Sequence, residues 1–251
     1  MTKTELNHKL KFTDGIAIYI GKGITTKPHG HFALEIILSL NKPFDIITNK
    51  KVYSNCNFAI IPQNIKHQFI GNQDDHQVFI FIDPFHQLAN FLEKEFDLSE
   101  LIITSLQTPS ENNFPTLQQW IQMETKYLLE TISKLFGLQV NTCLFENKTV
   151  TRIIKSFQYI QENLHKKISI KSISNSVFLS ESRYAHLFKL SVGIPFRRYI
   201  LWQRMQKTIQ AILEGDSLTA ACYDGGFSDI SHFNKVFKEM FGITPSAVLK
   251  S

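Results

Sequence analysis

Cysteine is scarce in this chain, and the three that occur, Cys56, Cys143 and Cys222, stand far apart. An odd number at no short spacing argues against a disulfide framework or a cysteine-built zinc site, and points to a reducing compartment, the cytoplasm. Long apolar runs are missing too, since nothing approaches the roughly 18 residues that a membrane span needs. The opening residues Met1-Thr2-Lys3-Thr4-Glu5 are polar, so no secretory signal is expected. Glycine and proline number only 11 and 8, too few for a collagen-like or low-complexity chain. No glycine-rich strand-to-helix turn occurs, which argues against a Rossmann or P-loop nucleotide site.

What remains is an ordinary globular composition, 43% hydrophobic and 20% charged over 251 residues. That length is awkward for one core and comfortable for two. The charge is unevenly spread. Residues 146–251 hold 15 Lys+Arg against 8 Asp+Glu, so of the formal net +5 the last part alone carries +7 and the rest −2. A basic half joined to a near-neutral half implies that only the C-terminal part meets a polyanion.

Periodicity divides the chain the same way. Ile16, Ile18 and Ile20 alternate, and Val78–Ile82 is a short apolar run, with strands expected at 33–40, 44–48, 58–61 and 67–70 between them. About half a dozen short strands imply a small all-β sandwich or barrel over 1–83. Asp83-Pro84 then reads as the cap and first residue of a helix carrying Leu88, Phe91 and Leu92. After a polar break at 107–115, Leu117 to Phe136 reads as one helix of five to six turns. Residues 84–147 thus form a helical connector, either a packing strut or a seam for a second copy of the chain. From about 148 the pattern is helical throughout: one face carries Val150, Ile153, Ile154, Phe157 and Ile160. Further helices are expected at 170–177, 181–190, 196–213, 218–223 and 229–240.

Two stretches of this second half repeat one another. Tyr184 to Pro195 and Phe233 to Pro245 each run from an aromatic through apolar-Phe-Lys to a helix-closing Gly and a Pro, and a short helix and turn precede each. That is helix–turn–helix written twice, at about 170–190 and 218–240, joined by one long helix. In such units the second helix lies in the major groove with its outward side chains on base edges and phosphates. Those positions are Ser182, Arg183, Ala185, His186 and Lys189 in the first unit. In the second they are Asp229, Ile230, Ser231, Asn234, Lys235 and, further along, Lys238. Residues from about 152 to 249 resemble the DNA-binding domain of AraC/XylS-type bacterial transcription regulators. The carrying motif is Gly226-Phe227-Ser228, the aromatic-led helix with Phe237-Lys238, and Gly242-Ile243-Thr244-Pro245. The resemblance implies sequence-specific binding of double-stranded DNA, contact with RNA polymerase and no catalysis. The family often has Arg where this chain has His186 and Lys235, which leaves the target sequence open.

The first half has its own constellation. His29, His31 and Glu35 share one face of an extended segment, and His67 comes from a later strand. Three imidazoles and a carboxylate converging in a barrel are the usual ligands of a divalent transition metal. Gly23, His29, His31 and Glu35, followed by Pro62 and His67, resemble the two cupin motifs, although Lys42, Cys56 and Asn64 stand where metal-binding cupins carry glycine. Cupin-like domains of this kind sense small-molecule effectors in many AraC-type regulators. Three readings stay open: a metal site, a metal-free effector pocket, or packing alone. His8, His76, His86 and His165 show no partner in the sequence and read as surface residues. The alternative reading of the whole chain is a metal-dependent cupin enzyme with a helical tail, which leaves both helix–turn–helix units without a purpose.

Overall fold

The structure is a computed structural model and describes residues 8–13, 15–96, 98, 115–136 and 151–249. Cys143, Val150 and most of the expected break at 107–115 lie outside the described residues. The chain forms two compact units, Met1–Phe145 together with Glu239–Ser251, and Glu146–Lys238.

In the first unit, β1 (His8–Thr13), β2 (Ile16–Lys22), β8 (His76–Ile82), β3 (Leu34–Ser39) and β6 (Phe58–Ile61) form an antiparallel sheet in the order β1-β2-β8-β3-β6. The second sheet has the order β5 (Val52–Cys56), β4 (Phe44–Thr48), β7 (His67–Ile70). One face of the larger sheet, with Ile18, Ile20, Ile36, Leu38, Val78 and Ile80, is covered by helical side chains. These come from α1 (Gln87–Glu95), α2 (Leu117–Gln122) and α3 (Thr125–Phe136), through Leu88, Leu92, Trp120, Leu128 and Ile132. The other face meets the second sheet, where Phe69 packs edge-on against Phe79 and tilted against Phe44. Both faces of β8 are therefore dry, which is why it reads as a continuous apolar run without alternation. The connector helices share the barrel's core as packing struts.

Two strands went unread in the sequence, β1 and β5, and both are sheet edges. Edge strands carry polar and charged residues in place of a continuous apolar run, here Lys9 and Lys11 in β1 and Ser54 and Asn55 in β5. Two helix boundaries also differ. Asp83 does not cap α1: its carboxylate accepts from the Phe85 amide in a local turn, and His86 is the cap, its Nδ1 accepting from the Leu88 amide. The expected single helix 117–136 is broken after Gln122. Lys11 Nζ donates to the carbonyl of Met123 at the break, satisfying a group that a continuous helix would have paired.

The second unit contains α4 (Thr151–Asn163), α5 (Ile170–Ser176), α6 (Glu181–Val192), α7 (Phe196–Leu213), α8 (Leu218–Asp224) and most of α9 (Ile230–Phe241). The short α10 (Pro245–Val248) follows in the first unit. Tyr184, Phe188, Phe196, Tyr199 and Phe157 pack ring against ring. Among them, the Tyr184 hydroxyl donates to Ser156 Oγ, which donates to the Ile153 carbonyl. This explains a departure from the expected face of α4: Ser156 is buried there, and Ile154 points to solvent. Arg204 of α7 reaches back to the carbonyls of Leu164 and Lys166 and so fixes the end of α4.

Candidate nucleic-acid interface and histidine cluster

The repeat seen in the sequence is a repeat of backbone geometry. In the first turn the Leu179 amide donates to the Ser174 carbonyl at 2.9 Å, and in the second the Phe227 amide donates to the Cys222 carbonyl at the same distance. The residue before each donor is left-handed, Phe178 at φ 55° and Gly226 at φ 84°. The two turns then differ by one residue. Ser180 caps α6 by accepting from the Arg183 amide, whereas Asp229, not Ser228, caps α9 by accepting from the His232 amide. That amide, the Ser228 hydroxyl and the Ser231 amide hold the Asp229 carboxyl below its usual range. Asp229 is therefore a helix cap and not one of the outward readers. A Ser-Asp pair directly before an apolar-periodic stretch was the available signal.

Of the other outward positions, Ser182, Arg183, His186, Lys189, Ser231, Asn234, Lys235 and Lys238 are exposed, and Ala185 and Ile230 are half-buried. Tyr184, Phe188, Phe233, Val236 and Phe237 are buried as expected, and Leu187 is half-buried. The two Gly caps, Gly193 and Gly242, are left-handed and end α6 and α9.

The histidine cluster is assembled by main-chain pairing. His29 and His67 exchange both amide–carbonyl bonds, at 2.8 and 2.9 Å, although residues 29–33 are not a strand and only Glu35 lies in β3. Their ring centroids are 4.3 Å apart, with His31 at 5.8 and 5.2 Å from them. His31 Nε2 and Glu35 Oε2 are 2.8 Å apart, and His67 Nε2 is 3.2 Å from the same oxygen, outside hydrogen-bonding geometry. All four side chains are buried. Burial opposes the charge on Glu35, but His31 and His67 outweigh it and hold the carboxyl below its usual range. Burial first, then the neighbouring imidazoles, pushes His29 down to about 3. Asn64, which replaces a glycine of the cupin pattern, adopts the left-handed conformation itself (φ 64°), and its amide donates to the His31 carbonyl. The turn leading to His67 is thus kept. Two histidines read as surface residues have partners: His8 lies 2.8 Å from the Tyr19 hydroxyl, and His86 caps α1.

The Helix-turn-helix domain family matches residues 173–251. LumQ of Photobacterium leiognathi, a probable transcriptional regulator, is 26% identical over 199 residues, 74% of this chain and 76% of LumQ. The arabinose operon regulatory protein of Escherichia coli is 33% identical over 100 residues, 38% of this chain and 33% of that protein. The C-terminal part of the chain carries an AraC-type helix-turn-helix domain, and its relatives are transcription regulators. Unsaturated fatty acid bound wild-type ToxT of Vibrio cholerae has the same fold, with a TM-score of 0.58 at 13% identity over 99% of this chain and 97% of ToxT.

The helix-turn-helix match falls in the helical domain described above, and the relatives are transcription regulators, not enzymes. The cupin-enzyme alternative finds no support among them. Among the described residues no helix is long and apolar enough to cross a membrane.

Proposed function

We propose that this regulator, working in the cytoplasm, reads two adjacent major-groove segments with α6 and α9, and that a small-molecule effector acts at the cluster of His29, His31, Glu35 and His67. The observation that carries the reading of DNA is the duplicated turn, which leaves a row of polar and cationic side chains exposed at the start of each second helix. Ser182, Arg183, Ala185 and His186 of α6, with Ile230, Ser231, Asn234 and Lys235 of α9, meet base edges. Lys189 and Lys238, one or two turns further along, grip phosphates. The connecting helix α7 has 18 residues, about 27 Å at 1.5 Å each, which with turns and side chains suits the roughly 34 Å between successive major-groove faces.

An effector in the first unit is supported by the buried polar cluster and by the like-folded ToxT with its fatty acid. The organisation proposed is a sensor over 1–83, a connector over 84–147 and a reader over 148–251. RNA polymerase and a second copy of the chain are the further partners. The test is binding of the full chain to duplex DNA across a salt series. Affinity should fall steeply with salt for any duplex and much less with sequence, until the preferred site is found. A chain that retards no duplex at low salt would overturn the proposal.

A further inference from the structure

The two reading helices are built to one pattern, so their exposed positions compare one for one. Tyr184 and Phe233, Phe188 and Phe237, and Gly193 and Gly242 correspond; the four rings are buried, and both glycines are left-handed at the ends of their helices. On this equal scaffold one stripe of each helix, at i, i+3 and i+7, faces outward. It holds Ser182, Ala185 and Lys189 on α6, and Ser231, Asn234 and Lys238 on α9. The ends of the stripe are alike in both, an exposed Ser and an exposed Lys. Only the centre differs: α6 offers the methyl group of the half-buried Ala185, and α9 the carboxamide of the exposed Asn234. A second apolar group follows on α6. Leu190, 73% exposed, stands one turn beyond His186, where α9 has the exposed Glu239.

We infer that the duplex site of this regulator consists of two unlike segments, Ala185 selecting a thymine under α6 at the place where Asn234 selects an adenine under α9. This rests on the reading of DNA proposed above and gives that site a base composition. In the major groove adenine shows a donor beside an acceptor, while thymine shows an acceptor and a methyl group. A carboxamide answers the adenine pair with two hydrogen bonds, whereas a side chain without polar atoms would leave that donor and acceptor unpaired. Ala185 has nothing to donate or accept, so the thymine methyl is the one base-edge group it buries favourably. Leu190 extends the same preference, since an exposed leucine gains by meeting a methyl group and gains nothing beside a phosphate.

The experiment uses the purified full chain and begins with selection of its preferred duplex from a random pool. Ala185→Asn gives α6 the stripe of α9, and should turn the thymine preference of one segment into an adenine preference while leaving the other segment unchanged. Asn234→Ala should do the reverse. In the parent, deoxyuridine in place of the selected thymine removes only the methyl group and should weaken binding about fourfold, the worth of one buried methyl. Deoxyuridine at thymines flanking the site should leave binding unchanged.

The deoxyuridine measurement needs no change in the protein, so it decides the matter even where a variant fails to fold. The inference is overturned by a parent indifferent to the missing methyl group, by a folded Ala185→Asn that selects the parent's base, or by duplexes retained with no base preference in the segment under α6. A parent that retains no duplex at low salt strikes the regulator reading instead.

Discussion

At the scale of single residues, the clearest strain is at Phe178. It is 89% exposed and left-handed, at the position where the second turn has Gly226. A bulky side chain there costs about 1–2 kcal/mol, while glycine costs about 0.5–1 kcal/mol in the unfolded chain. Phe178→Gly should therefore raise stability by up to about 1 kcal/mol, a few degrees in Tm. A fall in the melting temperature would show that the ring makes contacts its exposure denies. Asn234 makes a different kind of prediction. It is exposed on the first turn and a half of α9, and its carboxamide can make two hydrogen bonds to the major-groove edge of adenine, accepting from N6 and donating to N7. Asn234→Ala should cost about 1–3 kcal/mol on the preferred site and almost nothing on random duplex. Equal losses in a paired gel-shift measurement would remove it from the readers. The identities of these residues were legible in the sequence. That Asp229 rather than Ser228 is the cap was signalled only by the Ser-Asp pair, because one added residue in the second turn decides which of the two meets the helix end.

At the scale of elements, the reading helices depend on how α7 and α8 fit. Thr208 of α7 is fully buried with its hydroxyl unpartnered, and it lies where a Cβ on Gly225 would fall. Gly225→Ala should destabilise by about 1–3 kcal/mol through overpacking. In a Thr208→Ala background much of that cost should vanish, a coupling of about 0.5–3 kcal/mol in a double-mutant cycle of chemical denaturation. Strict additivity would place the two side chains apart. The caps are a second test. Ser180→Ala and Asp229→Ala each remove a side-chain acceptor from a helix N-terminus, and each should cost about 0.5–2 kcal/mol by thermal or chemical unfolding. The helices of the second unit were read within a residue or two, since 3.6-residue periodicity, Ser caps and Gly stops agree there. The break at Met123 was not legible, because apolar periodicity runs on through it and only the long-range bond from Lys11 marks the freed carbonyl.

At the scale of the whole molecule, the proposal of two reading helices joined by α7 predicts the footprint. Hydroxyl-radical cleavage of one bound duplex should show two protected stretches on one face, about one helical turn apart. A single protected stretch would mean that only one unit reads. Because the surplus of basic residues lies in 146–251, salt sensitivity should follow that half, and Lys189→Ala or Lys238→Ala should each reduce the slope against log salt by about one. Replacements in the histidine cluster should leave that slope unchanged.

Local order was decided within short stretches of the sequence: turns by Gly226 and Ser180, helix faces by Tyr184, Phe188, Phe233 and Phe237, strands by Ile16, Ile18 and Ile20. The physical terms involved, side-chain periodicity, capping and backbone freedom, act over a few residues, so one sequence suffices to read them. What needed the tertiary structure were the terms acting between distant segments. Edge strands β1 and β5 exist because neighbours pair with them, and Ser156 is buried because Tyr184 requires an acceptor. The histidine cluster is the plainest case. Spacing placed His29, His31 and Glu35 near one another, but only the pairing of His29 with His67 turned three separately pinned imidazoles toward one buried point.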